Sequence, residues 1–188
     1  MLRVLFVCTG NICRSPMGEL MFPLFFYSND IVSDSAGIQG LPDSPIDPSS
    51  AQLLAADNID TQEFRSKRLT PQLALKSDLI LCFTQRQRTK IIELAPRARS
   101  RTFQLNDFAA LCEYCRVHAF ISGDDTKERL NSILKNASLV QAHIPPTQDI
   151  DDPYRKDFQI FESAHKQIQQ DIAEIASALE PTRGFHVH

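Results

Sequence analysis

The first sixteen residues, MLRVLFVCTGNICRSP, constrain this chain more than any other stretch, because an apolar run stops at a short polar loop that leads directly into a helix start. Residues 2–8, LRVLFVC, are β-branched and aromatic with almost no polar alternation, the pattern of a parallel strand buried on both faces. Behind the loop, Ser15 suits a helix N-cap and Pro16 the first helical position. Met17, Leu20, Met21, Leu24 and Phe25 then recur at three- and four-residue steps and make one apolar face. Pro23 removes a backbone donor inside that helix, so a kink or an early end is expected there.

The same alternation continues downstream. Ile31 to Gly37, IVSDSAG, reads as a second strand, and Pro48 to Asn58 as a helix with apolar Ala51, Leu53, Leu54 and Ala55. LILCF at 79–83 is the next continuous apolar run, and a helix through Ile91, Ile92 and Leu94 follows it up to Pro96. Arg101 to Leu105 is a weak fourth strand, after which Asn106 can cap a helix beginning at Asp107. Residues 116–147 are less regular and read as an extra helical element and a loop around Pro145 and Pro146. Phe161, Ile168, Ile172, Ile175 and Leu179 mark a last amphipathic helix from Phe158 to just before Pro181. Strands separated by helices imply a parallel sheet with helices on both faces. Ligands of such sheets sit beyond the carboxyl ends of the strands, so the segment after the first strand is where chemistry is expected.

Bulk properties exclude several classes. A formal charge of −3 gives no reason to expect a nucleic acid or an anionic membrane as partner. The N-terminal apolar run is too short for a secretory signal, and no stretch reaches the ~20 apolar residues that span a bilayer. Five cysteines without the density of a disulfide scaffold suggest reduced thiols, and with them a soluble cytoplasmic protein. Cys112, Cys115 and His118 are spaced to share a helix face but lack an assured fourth ligand, so they read as buried small groups rather than zinc ligands. Cys82 reads as core. No metal or cofactor is expected.

The segment from Cys8 to Ser15, CTGNICRS, carries the chemistry. A short loop feeding a helix N-terminus aims several backbone N–H groups at one point and adds the positive end of the helix dipole, which suits an anion such as phosphate. Cys8 at the start of the loop lies beneath that point, and Arg14 at its end can lay a planar cationic fork across it. The same environment favours a thiolate at Cys8, which can take a phosphoryl group in line and pass it to water. The displaced oxygen needs a proton, and DIDDPY offers Asp149, Asp151 and Asp152. Asp152, restrained by Pro153 to extended geometry, is the first candidate and Asp151 its substitute. Cys13 is a candidate redox partner for Cys8 in a reversible disulfide.

A Cys-x5-Arg-Ser loop directly after the N-terminal strand, paired with a late Asp-Pro, resembles the low-molecular-weight protein tyrosine phosphatases. The carrying residues are VLFVCTGNICRSP and DDPY, supported by SAG at 35–37 and DLIL at 78–81, and the resemblance covers residues 1 to about 108 and again 148–180. It implies a phosphotyrosine phosphatase working through a phosphocysteine, with Cys8 as nucleophile, Arg14 as phosphate binder and Asp152 as general acid. It further implies a phosphate-binding loop of Thr9, Gly10, Asn11, Ile12, Cys13 and Ser15. In that loop Ser15 stabilises the leaving thiolate and Asn11 braces the turn with Ser35 as partner. Ile12, Leu41 and Tyr154 are similar to the walls that receive the substrate ring. Members selective for phosphoarginine carry threonine where Ile12 stands, so the isoleucine points to tyrosine. Phe64 stands where the family often places a histidine in the Asn bracing network, which implies a shortened network, and Leu41 stands where an aromatic residue is frequent.

The architecture expected is a single domain over 1–180: a flavodoxin-like, four-stranded parallel sheet of order 2-1-3-4 with helices on both faces. A helical insertion at about 109–147 precedes the Asp-Pro loop, and 181–188 is a tail. The partners expected are phosphotyrosyl proteins and a cognate tyrosine kinase or its substrates. Two other functions fit the same loop. An arsenate reductase would use Cys8 with an external thiol, since Cys82 has no cysteine shortly downstream to complete an internal relay. A non-catalytic module would only capture phosphate.

Overall fold

The computed structural model describes residues 1–40 and 42–181. Its sheet is built from β1 (Leu2–Cys8), β2 (Ile31–Gly37), β3 (Leu79–Cys82) and β4 (Thr102–Gln104), all parallel, in the order β2-β1-β3-β4. This is the flavodoxin-like arrangement expected. β1 is interior, with a strand on each side and a layer of side chains on each face, which is why LRVLFVC shows no polar alternation. Leu2, Val4, Phe6 and Cys8 fall in one core cluster, while Leu5 and Val7 fall in the other. β3 splits the same way, Leu79 and Leu81 against Ile80 and Cys82.

Among the described residues seven α-helices cover the sheet: α1 (Arg14–Met21), α2 (Pro48–Ala56), α3 (Pro71–Lys76), α4 (Gln85–Leu94), α5 (Leu105–Val117), α6 (Thr126–Val140) and α7 (Phe158–Leu179). The larger cluster takes side chains from α1, α2, α5, α6 and α7, and the smaller one from α3 and α4. α5, α6 and α7 pack on one another, so the inserted segment is a helical layer on the same face as the last helix. Phe161, Ile168, Ile172, Ile175 and Leu179 of α7 are all buried, and Cys112 and Cys115 are core residues of α5. Among the described residues no helix is long and apolar enough to cross a membrane.

Three local expectations need correction, and one short helix adds to them. α1 begins at Arg14 with Cys13 in the cap position, because the Ser15 hydroxyl is engaged by Cys8 and Asn11 rather than by the helix. The α-helix ends early, at Met21, as Pro23 led one to expect, and the chain passes through Pro23 as a 3-10 turn, Phe22–Phe25. That tighter winding takes Leu24 off the apolar face and leaves it 66% exposed. α5 starts at Leu105 with Gln104 at its cap, so Asn106 lies in the first turn and its side-chain amide donates to Gln148 O. α3 was not anticipated: its six residues are too few to show periodicity, although Thr70 caps it by accepting from Leu73 N, with Pro71 at the first position. Residues 182–188 of the expected tail lie outside the described residues.

α1 approaches β1 closely at Gly18. A Cβ there would come within 2.3 Å of the Phe6 ring, and Phe6 is fully buried and packed edge-on against Phe22, so it has no room to retreat. Gly18→Ala is therefore expected to destabilise the fold by ~1–3 kcal/mol through overpacking. Urea unfolding measures this, and an unchanged midpoint would contradict the packing described.

Candidate active site

β1 ends at Cys8 and α1 starts at Arg14, leaving 9–13 to reverse direction. Asn11 makes the turn with a φ of 57°, a left-handed geometry that asparagine tolerates better than most residues. The loop lies against the end of β2, where a Cβ on Gly37 would come within 2.9 Å of Thr9 O, so the glycine of SAG is required by the approach of the loop backbone.

The Asn11 side chain, fully buried, ties this turn to three other segments. Its Oδ1 accepts from the Lys67 backbone N–H at 2.7 Å, which fixes which end of the amide is oxygen. Its Nδ2 then donates to Ser15 Oγ at 2.9 Å and to Ser35 Oγ at 2.7 Å. Since Ser15 Oγ accepts from Asn11, its own hydrogen is available to Cys8 Sγ, 3.0 Å away. The Asn11 backbone N–H also donates to Cys8 Sγ, at 3.2 Å. Two donors thus meet on one sulfur.

Ser35 in turn donates to Glu19 Oε2, and burial pushes the Glu19 carboxyl up while that bond and Lys67 pull it back. Ser35 is therefore the partner of Asn11 that the sequence suggested. Phe64 is packed into the core and takes no part in the brace, whose far ends are the Lys67 amide and Glu19.

Arg14 is 2% exposed. Its Nη1 donates to Ile150 O at 2.7 Å, and its Nη2 lies 3.1 Å from Asp152 Oδ2. Its guanidinium sits 5.8 Å from the centre of the Phe83 ring, and its Nε is buried with no hydrogen-bond partner among the described residues.

The acidic loop is tied down nearly residue by residue. Thr147 donates its N–H and its hydroxyl to Asp107 Oδ1 at 3.3 and 2.6 Å, and Asn106 reaches Gln148 O. Asp149 Oδ1 accepts from Gln85 N at 2.9 Å, and the Ile150 N–H donates to Phe83 O at 2.9 Å. The start of α5, the head of α4 and the end of β3 therefore set where the next residues emerge.

Asp152, unlike Asp149 and Asp151, lines the pocket that holds Cys8, a cavity of about 240 Å³. Thr9, Gly10, Ile12, Cys13, Arg14 and Tyr154 line it as well, while Asn11 and Ser15 lie buried beneath it. Tyr154 is 44% exposed, with Arg155 stacked over its ring at 5.1 Å. Leu41, the other expected wall, lies outside the described residues.

None of the five cysteines is paired in a disulfide. Burial pushes the Cys13 thiol far up, and the charges of Asp47, Cys8 and Asp152 add to it. Burial likewise takes Cys82 to about 12, and its thiol is 3.3 Å from Phe103 O, to which it donates. Cys82 is a core residue, as expected.

Several neighbours of the site carried no sequence signal. Gln39, Gly40 and Ser44 come from the loop after β2 to line the Cys8 pocket. Gln87, 4% exposed, holds the phosphate-loop side with Nε2 on Thr9 Oγ1 at 3.2 Å. Nothing in a local window marks such contacts, which join residues 78 apart in the chain.

Residues 3–120 match the family model described as low molecular weight phosphotyrosine protein phosphatase. The chain belongs to that family. It is 30% identical over 169 residues, covering 90% of both chains, to the probable low molecular weight protein-tyrosine-phosphatase EpsP of Ralstonia solanacearum. It is also 30% identical over 135 residues, 72% of this chain and 88% of the relative, to the phosphatase Etp of Escherichia coli K12. The fold is shared with the YwlE arginine phosphatase of Geobacillus stearothermophilus, with a TM-score of 0.72 at 22% identity over 94% of this chain and 92% of that one. It is shared too with Vibrio vulnificus Wzb in complex with benzylphosphonate, with a TM-score of 0.69 at 24% identity over 94% and 97%. Membership makes phosphatase chemistry the activity against which the pocket is read.

Asp107 anchors the acidic segment at Thr147. Asp107→Ala is expected to lower stability by ~1 kcal/mol, by leaving partly buried donors unpaired, and to speed amide hydrogen exchange at 147–150 well before the sheet. Unchanged exchange there would show that the segment is held in some other way.

Proposed function

We propose that this family member hydrolyses phosphotyrosine monoesters through a phosphocysteine on Cys8, with Arg14 holding the phosphate and Asp152 as general acid. The observation that carries this reading is the convergence on one pocket of a sulfur with two donors aimed at it, a buried guanidinium and a carboxylate. Arg14 Nε, a buried donor without a partner, fits an anion in that pocket, because a phosphate oxygen would satisfy it.

The cycle has two displacements. In the first, the Cys8 thiolate attacks phosphorus, the bond from phosphorus to the phenolic oxygen breaks, and Asp152 gives its proton to that oxygen. Arg14 must first turn part of its fork from Asp152 to the phosphate, so substrate binding frees the acid from its ion pair. In the second, the Asp152 carboxylate takes a proton from water as water attacks the phosphocysteine. The sulfur then leaves as a thiolate onto the Ser15 hydroxyl and the Asn11 N–H. Backbone amides of 9–14 and the guanidinium stabilise the equatorial oxygens throughout.

Ile12 and Tyr154 flank the mouth as an apolar and an aromatic wall, which supports an aryl phosphate and, with the isoleucine, tyrosine rather than arginine. The relatives above 29% identity bear tyrosine-phosphatase names, which supports the same choice. The substrates are then phosphotyrosyl proteins, with a tyrosine kinase as the opposing activity. Cys13 lines the same pocket as Cys8, and we assign it the role of a slow resolving thiol: peroxide oxidises Cys8 to a sulfenic acid, and the Cys13 sulfur, which must first give up the proton that burial holds on it, displaces water from that sulfur to form the disulfide.

Hydrolysis of an aryl phosphate by wild type, Cys8→Ser and Asp152→Ala tests the assignment. Cys8→Ser is expected to show no turnover and Asp152→Ala a loss of ~10²–10⁴-fold in kcat. Comparable turnover by all three proteins would end the phosphatase mechanism proposed.

A further inference from the structure

A second groove adjoins the Cys8 pocket. Its volume is about 350 Å³, and it shares Thr9, Arg14, Gln39 and Asp152 with that pocket as common walls. One wall is the head of α4, from which Arg86 and Lys90 line the groove one helical turn apart. The other wall is the acidic loop, with Asp149 and Asp151.

The two walls differ in how far their charges are already engaged. Asp149 accepts from the Gln85 N–H. Arg86 is exposed, and its side chain makes no hydrogen bond or ion pair among the described residues. Lys90 reaches Glu93 at 2.8 Å, but both side chains are more than half exposed, and such pairs are readily exchanged for another carboxylate. The basic wall is a local feature, since the chain as a whole carries −3. The seam between groove and phosphate loop is rigid: Gln87, buried on the floor, accepts from Phe83 N at 2.9 Å through Oε1 and donates to Thr9 Oγ1 through Nε2.

We infer that this groove seats the polypeptide flanking the phosphorylated residue, with an acidic side chain of the substrate against Arg86 and Lys90. The inference rests on the phosphatase reading and adds a substrate class to it: phosphopeptides with a carboxylate within a few residues of the phosphate, on one side only. The carboxylates of the opposite wall repel an acidic side chain and so fix it to the α4 side. A free aryl phosphate ends at the pocket mouth and does not use the groove.

The test compares wild type with the double charge reversal Arg86→Glu, Lys90→Glu at physiological salt, where exposed charges act only over a Debye length of ~8 Å. Both positions are exposed on one helix face, outside the Cys8 pocket. The substrates are an aryl phosphate and phosphotyrosyl peptides flanked by glutamates, alanines or lysines on either side. For the aryl phosphate the two proteins are expected to agree in kcat/KM within about twofold. The glutamate-flanked peptide is expected to be favoured over the alanine-flanked one by ~10-fold in wild type, for glutamates on one side only, from two exposed charge pairs. In the double variant that preference is lost and the lysine-flanked peptide overtakes it. Equal peptide ratios in the two proteins would overturn the inference.

Binding of the same peptides to Cys8→Ser by calorimetry separates the groove from the chemistry. Tighter binding of the glutamate-flanked peptide that disappears on charge reversal supports the groove even if wild type fails to turn over the aryl phosphate. Binding indifferent to Arg86 and Lys90 overturns the groove even if the aryl phosphate is hydrolysed.

Discussion

The site depends on one buried amide. Asn11 has two side-chain donors and an acceptor, and all three functions are used, on Ser15, Ser35 and the Lys67 backbone. These bonds hold the left-handed turn at Asn11, and the turn in turn aims the Asn11 N–H at the sulfur of Cys8. The Lys67 N–H can only donate, so the orientation of the amide is determined, and with it the direction of every hydrogen in the chain from Glu19 through Ser35 and Asn11 to Ser15. The outcome is a serine hydroxyl whose one hydrogen is left for sulfur. Removing the amide would strand several buried polar groups together, each costing ~1–3 kcal/mol.

The rest of the fold supplies what this brace needs. β1 is held on both sides and both faces, so Cys8 emerges from the most constrained strand of the sheet. Gly37 lets the loop lie against β2, and Gly18 lets α1 lie against Phe6, so the two ends of the loop are fixed by close backbone packing. The acidic segment arrives from the far end of the chain and is positioned by α5, the first helix after β4, through Asn106 and Asp107. The helical layer therefore does more than cover the core: α5 and α6 pack with α7, and the first turn of α5, just before the insertion, carries the anchor for the segment bearing Asp152.

Features confined to a short window, or to a strand buried on both faces, were legible in the sequence. The alternation of β1, β2 and β3 with helices gave the parallel sheet, and the Cys8-to-Arg14 spacing gave the loop, because both ends of that loop are local. Asp152 was legible, 144 positions after Cys8, only through the proline behind it. Ser15 misled as a helix cap because a serine before a proline reads the same whether its hydroxyl faces the helix or a sulfur; only the position of Cys8 in space decides. Glu19, Gln87, Asp107 and the Lys67 amide escaped notice because their partners are far away in sequence or are backbone groups, which have no residue signature. α3 escaped because six residues show no period, and the exposure of Leu24 because Pro23 changes the helix pitch at that point.

The central claim is that the sulfur of Cys8, held under two donors and beside Arg14, takes the phosphoryl group itself. Quenching the enzyme in acid during turnover of an aryl phosphate and mapping the phosphoryl group by mass spectrometry tests this directly. The account predicts one phosphoryl group, on the peptide containing Cys8 and bonded to its sulfur. A phosphoryl group on any other residue, or steady turnover with no phosphoenzyme and direct transfer to water, would contradict it.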